Sequence, residues 1–231
     1  MEAFGVIFDV DGVLIDSVEA AYRVRSRVLA AHGVNLAAVP DPHNEDHKGN
    51  SLRSLLDAVR SHTGVALDEE EIAKELLKRM SEAFKGVRPD ADLVSFLDEL
   101  KRHDVPCAIG SGGRTEGVIT KLNILGIRDY FSLIVSAQDI TRPKPDPEIY
   151  QLVAARLGLS TGRCVVIEDS VAGVQAAKAA GCTVVGFSGF NQNKQPIPGT
   201  SLTIDRWSDL SFARLYLSML GLDQGHEERY L

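Results

Sequence analysis

From residue 89 to residue 187 the chain alternates between helical periods and short apolar runs, and this alternation leaves few folds open. The set Leu93, Phe96, Leu97 and Leu100 leads to the run 105–111, which ends in Ser111. The set Val118, Ile119, Leu122 and Leu125, stopped by Gly126, leads to the run 132–136. Ile149, Tyr150, Val153 and Leu157, stopped by Gly158, lead to the run 164–169, which ends in Glu168 and Asp169. Val171, Val174 and Ala177, stopped by Gly181, lead to the run 182–187. Glycine after the last apolar residue is a common helix stop. Strands and helices alternating at this length predict a parallel sheet covered on both faces.

One more apolar run stands near the start. Residues 5–8 pass straight into Asp9, Val10, Asp11 and Gly12. So short and apolar a run reads as a buried strand that joins the same sheet. Asp9 then stands at its carboxyl end, where open α/β sheets bind ligands, and Asp11 points the same way if the backbone stays extended. Gly12 lets the chain turn away.

Between this strand and residue 89 only helical signals occur. Asp16 to Glu19 offers a capping box, followed by Val18, Ala21, Val24 and Val28 at helical spacing until Gly33. After a polar loop at 40–48 come Leu52, Leu55, Leu56 and Val59, then Asp68 and Glu71 open a third helix carrying Ile72, Leu76, Met80 and Phe84. The expected fold class is therefore α/β: a Rossmann-like parallel sheet core with helices on both faces, formed by 1–15 and 88–231, plus an inserted α-helical cap domain at 16–87. A weaker strand candidate lies at 201–204, and the polar tail 223–231 is expected to fray.

Composition narrows the partners. A net charge of −7 argues against a nucleic-acid or anionic-membrane surface, so a site for anionic substrates needs its own local cations. No apolar run approaches the roughly 20 residues that span a bilayer, and the first residues lack a leader pattern. Cys107, Cys164 and Cys182 have neither metal-site nor redox spacing and read as small buried hydrophobes in a reducing compartment. The expectation is a cytoplasmic protein, monomeric or a small homo-oligomer.

Parallel strands place their carboxyl ends on one edge of the sheet. Asp9 and Asp11, Ser111, and Glu168 and Asp169 all meet there, and Lys144 follows the third run inside a segment stiffened by Pro143, Pro145 and Pro147. Four carboxylates cannot all ionise side by side without a counter-charge: either a proton is held or a divalent cation is bound. Oxygen ligands of this kind suit Mg²⁺. Lys144, Ser111 and the backbone N–H groups of Gly112 and Gly113 can hold phosphate oxygens. One aspartate is then free to attack phosphorus and the other to act as general acid and base. Taken singly, Ser111 is an ordinary strand-end hydrogen bonder, Lys144 a surface lysine, and Glu168 with Asp169 a helix cap. Their joint occurrence in this order is what those readings leave unexplained.

Asp9 to Val13, Ser111, Lys144 and Glu168 to Ser170 resemble, in order and spacing, the four motifs of the haloacid dehalogenase-like hydrolases. The chain is most similar to the subfamily of β-phosphoglucomutase and phosphoglycolate phosphatase, with a helical cap between the first two motifs. The resemblance implies Asp9 as nucleophile, Asp11 as acid and base, and Ser111 and Lys144 as phosphate binders. It implies Mg²⁺ held by Asp9, the Asp11 carbonyl and Asp169, with Glu168 beside the ion or reaching it through water. Asp11 also separates this chain from dehalogenase members, which lack that aspartate. The expected partner is a small phosphorylated metabolite.

The cap's substrate loop in that subfamily resembles residues 47–51 here, which makes Lys48 and Ser51 candidate substrate contacts; Arg114 could meet a second anionic group. Mutase-like members carry a histidine where this chain has Ala21, which favours a phosphatase over a phosphomutase. The family's usual Pro-Gly is replaced by Pro89-Asp90. A phospho-acceptor signalling module is the alternative of another class, but receivers are about half this length and lack the insertion. A dinucleotide-binding domain needs a glycine-rich first turn, which two aspartates occupy here.

Overall fold

The computed structural model describes residues 3–40, 52–190 and 196–222. Six parallel strands form one sheet: β1 (Gly5–Phe8), β2 (Cys107–Gly110), β3 (Phe131–Val135), β4 (Cys164–Glu168), β5 (Thr183–Phe187) and β6 (Leu202–Ile204). Their order is β3-β2-β1-β4-β5-β6, so the winding reverses between β1 and β4. The weak strand candidate is real and closes one edge beside β5.

Three helices lie between β1 and the rest of the sheet: α1 (Val18–Ala31), α2 (Leu52–Thr63) and α3 (Glu69–Ala83). They share an apolar cluster of their own that includes Val24, Val28, Leu29, Leu55, Val59 and Ile72. The remaining helices are α4 (Ala91–Arg102), α5 (Thr115–Leu125), α6 (Glu148–Leu157), α7 (Val171–Ala180) and α8 (Phe212–Met219). Val6 and Phe8 of β1 point to the face covered by α4, α5 and α8, whereas Ile7 points to the face covered by α6 and α7. This alternation on a strand apolar on both sides is what places β1 in the middle of the sheet.

Local chemistry accounts for most helix ends. The Asp68 carboxylate accepts the Glu71 N–H at 2.8 Å, as its spacing predicts. The box at Asp16 to Glu19 does not form. Helix α1 starts after Ser17, whose hydroxyl makes no cap and instead donates to Asp11. A side chain used in the site is thereby lost to the helix end. Helix α8, which the alternation up to residue 187 did not predict, packs Leu215 onto the face that holds Phe8.

The helical block depends on its own core. Leu55 is 1 % exposed, so Leu55→Ala is expected to cost about 2–5 kcal/mol in urea unfolding of the full chain. A loss below that range would mean that the block does not rest on this cluster.

Candidate active site

The register of the sheet builds the site. Phe8 pairs with Ile109 of β2 and Ile167 of β4, so the next residue, Asp9, emerges between Gly110 and Glu168. The Asp9 N–H continues the ladder to the Ile167 carbonyl at 3.0 Å. The chain then turns on itself: the Leu14 N–H reaches the Val10 carbonyl at 3.0 Å and the Gly12 N–H reaches the Ile15 carbonyl at 2.9 Å. Gly12 has φ +81°, and a Cβ there would lie 1.9 Å from Asp169 Oδ2. Backbone conformation and the close approach of a carboxylate both require glycine at this turn.

Lys144 draws the strand ends together. Its Nζ donates to Asp9 Oδ1 at 2.8 Å, to Glu168 Oε1 at 2.5 Å and to the Gly110 carbonyl at 3.2 Å. Glu168 is wholly buried and accepts five hydrogen bonds. Oε1 takes Lys144 and, at 2.7 Å, the hydroxyl of Tyr150; Oε2 takes the N–H groups of Asp169 and Ser170 and the Ser170 hydroxyl. Each of Asp9, Glu168 and Asp169 offers one carboxylate oxygen to a group whose members all lie within 4.8 Å of one another.

The electrostatics follow from this crowding. Burial raises the Asp9 carboxyl from its ordinary 3.8 to about 7, Lys144 opposing and Glu168 reinforcing the shift. Burial, then Glu168 and Asp9, push Asp169 well above the carboxylate range. Burial would also raise Glu168, but the charge and hydrogen bond of Lys144, with Tyr150 and Ser170, hold it below its usual value. Three carboxyls thus share one ammonium, and the deficit is met by a proton or a cation. The Asp169 carboxylate accepts no hydrogen bond from the described residues. This oxygen set, short of positive charge, fits a hard divalent ion held by Asp9 and Asp169.

Asp11 stands apart from that cluster. Both of its oxygens accept from Lys121 Nζ, one at 2.6 Å, and Oδ1 also takes the Ser17 hydroxyl. Burial alone would raise its pKa, but the charge and hydrogen bond of Lys121, with the Ser17 hydroxyl, lower it. Ser111 is buried one residue past β2; its N–H donates to the Val135 carbonyl and its hydroxyl accepts the Gly113 N–H at 3.2 Å. A Cβ built at Gly112 would meet nothing within 4 Å, so that stretch faces open space. Arg114 reaches the helical block, pairing with Glu69 at 3.1 Å and Glu70 at 2.6 Å. Lys48 and Ser51 lie outside the described residues.

The structure therefore brings Asp9, Glu168, Asp169 and Lys144 into direct contact or close range, with Asp11 and Ser111 on the adjoining turns. Sequence reasoning missed Ser17, Lys121 and Tyr150 as parts of the site. Lys121 carries a readable signal, since it interrupts the buried stripe Val118, Leu122 and Leu125 of α5. For Tyr150 the signal is weaker: a fully buried phenol needs a partner for its hydroxyl.

The family model for haloacid dehalogenase-like hydrolases matches residues 6–187, and the chain belongs to that family. Among individual proteins, it is 28 % identical to a phosphoglycolate phosphatase of Pectobacterium atrosepticum over 98 % of this chain and 96 % of that one. It is 30 % identical to a β-phosphoglucomutase of Bacillus subtilis, covering 91 % of this chain and 93 % of that one. The crystal structure of CbbY from Rhodobacter sphaeroides in complex with phosphate shares the fold with a TM-score of 0.78 at 23 % identity, over 96 % of this chain and all of that one. Among the described residues no helix is long and apolar enough to cross a membrane.

The Asp9 shift has a consequence for stability. Its folded pKa of about 7 lies above the ordinary 3.8, so the native state binds the extra proton between those values. Stability is then full below the lower value and is lost as pH rises through the upper one. In EDTA the melting temperature is expected to fall across that window, and Asp9→Asn is expected to flatten the fall. A wild-type profile already flat in EDTA would refute this.

Proposed function

We propose that the chain is a cytoplasmic Mg²⁺-dependent phosphatase of a small phosphate ester, of the sugar-phosphate or phosphoglycolate type, acting through an aspartyl-phosphate on Asp9. The observation that carries this reading is the buried Asp9 carboxylate at the carboxyl end of the central strand, with Lys144 Nζ 2.8 Å away and two further carboxylates at close range. The names of the relatives support the phosphoric monoester class.

In this mechanism Asp9 attacks phosphorus and forms the acyl phosphate while the alkoxide departs. Asp11, protonated from solvent once its Lys121 contact opens, gives that proton to the departing oxygen and later takes one from the attacking water. Both Asp11 oxygens are engaged by Lys121 and Ser17, so one of those contacts opens before Asp11 serves the leaving oxygen. Lys144, Ser111 and the N–H groups at Gly112 and Gly113 balance the charge of the phosphoryl oxygens. Asp9, Asp169 and the Asp11 carbonyl, with Glu168 behind or through water, would hold Mg²⁺, which supplies the positive charge that keeps Asp9 ionised and neutralises phosphate oxygens. The helical block 16–87 acts as a cap that excludes water, and Lys48 and Ser51 are its candidate substrate contacts. Arg114, tied to Glu69 and Glu70, meets a second anionic group only by giving up part of that pairing.

A phosphomutase is the second reading, favoured by the similarity to β-phosphoglucomutase. Ala21 stands on α1 where mutase-like members carry histidine, and this weighs towards hydrolysis. The test is phosphate release from sugar phosphates, phosphoglycolate and nucleotides, with and without Mg²⁺, for wild type and Asp9→Asn. Metal-dependent release that Asp9→Asn abolishes is expected. Conversion of β-glucose 1-phosphate to glucose 6-phosphate without free phosphate would establish the mutase instead. A single phosphorylation of Asp9 without turnover would point to a phospho-acceptor module.

A further inference from the structure

Behind the four motif positions lies a side chain that touches two of them at once. Tyr150 of α6 is fully buried. Its hydroxyl donates to Glu168 Oε1 at 2.7 Å, the same oxygen that accepts Lys144. Its ring lies beneath the Lys144 ammonium, with Nζ 5.0 Å from the centroid. A Cβ at Gly110 would come within 3.1 Å of Tyr150 Cε1, so the last residue of β2 is pared down to admit the ring. The same Gly110 offers its carbonyl to Lys144 at 3.2 Å.

We propose that Tyr150 is a positioning residue: hydroxyl and ring together fix Glu168 and Lys144 so that the Lys144 ammonium stays on Asp9. Two features of the contact set argue for this over simple core filling. First, Glu168 Oε2 is held by three donors from its own strand end, whereas Oε1 has only Lys144 and Tyr150. Without the hydroxyl, Oε1 is held by a flexible lysine alone and the carboxylate is free to pivot about its anchored oxygen. Second, a cation over an aromatic face is attracted to it and confined on that side. The ring thus restrains Lys144 from one side, and the carboxylates pull from the other. A phenylalanine would keep the first restraint on the lysine and remove the one on Glu168. The proposal rests on the phosphatase reading for its kinetic arm and on geometry alone for its second arm.

The test compares wild type with Tyr150→Phe, which retains the ring and its packing. In the kinetic arm, kcat is expected to fall about tenfold or more, the usual cost of losing a supporting hydrogen bond of this kind. Inhibition by vanadate, which mimics the five-coordinate phosphorus, is expected to weaken by a similar factor, while inhibition by inorganic phosphate moves less than twofold. A merely structural role would reduce the active fraction and leave both inhibition constants in place, and that result would overturn the proposal. In the second arm, metal-free protein is treated with an amine-directed reagent and modification of Lys144 is followed by peptide mass spectrometry. Faster modification in Tyr150→Phe is expected; an unchanged rate would overturn the proposal. If wild type turns over no phosphate ester, the phosphatase reading fails, and the labelling arm still decides the role of Tyr150.

Discussion

An ammonium held between two buried carboxylates organises this protein. Lys144 meets Asp9 and Glu168 at the ends of two adjacent strands, and neither carboxylate would be tolerated there without it. Removing one partner of such a buried group is costly, because the other is left desolvated and unpaired. The arrangement nevertheless leaves three carboxyls on one ammonium, and burial, reinforced by Glu168, raises Asp9 and Asp169. A site built this way is poised to accept positive charge at Asp9 and Asp169 and negative charge at Lys144. That is the polarity required for a metal-bound phosphate.

The sheet makes this possible at little local cost. Backbone hydrogen bonds run to the last residue of β1, with the Asp9 N–H still paired to Ile167. The Asp9 backbone is therefore fixed by the ladder, and only its side chain is left to electrostatics. Asp11 is placed differently, on a turn closed by bonds back to Val10 and by Gly12. Its carboxylate is set by Lys121 of α5 and by Ser17 at the foot of α1. One aspartate belongs to the rigid sheet and the other to the junction between sheet and helical block. This division suits the proposed roles: Asp9 would attack from a fixed point, and Asp11 would move between two proton-transfer partners.

Much of this was legible in the sequence, for identifiable reasons. Apolar runs that stop at Asp9, Ser111 and Glu168 declare both the strand and its functional end, because a doubly covered strand tolerates no polar residue before its terminus. The run at 202–204 is weaker because Thr203 interrupts it, which an edge strand beside β5 allows. Two of the residues that escaped notice have a bland local reading: Ser17 looks like a helix cap and Tyr150 like a core residue, whereas Lys121 stands out in the buried stripe of α5 and only its partner is hidden. Their roles depend on contacts with residues six, 110 and 18 positions away, which no local pattern encodes. Arg114 shows the same limit: its position just past a strand end is readable, but its pairing with Glu69 and Glu70, more than forty residues earlier, is not.

The charge of the whole molecule bears on selectivity in a way that its parts explain. A net −7 gives no general attraction for an anionic substrate. Nor, among the described residues, are Lys144, Lys121 and Arg114 waiting unpaired: Lys144 is held by Asp9 and Glu168, Lys121 by Asp11, and Arg114 by Glu69 and Glu70. An incoming phosphate gains their charge only by sharing or displacing a carboxylate that already has it. Each exchange weakens binding of a bare anion but costs less when the displaced carboxylate finds new work, as Asp11 would on a leaving oxygen in the proposed mechanism. In that mechanism binding is coupled to assembly of the catalytic arrangement, so a ligand that offers a phosphoryl group without a leaving oxygen would recover only part of what it disrupts.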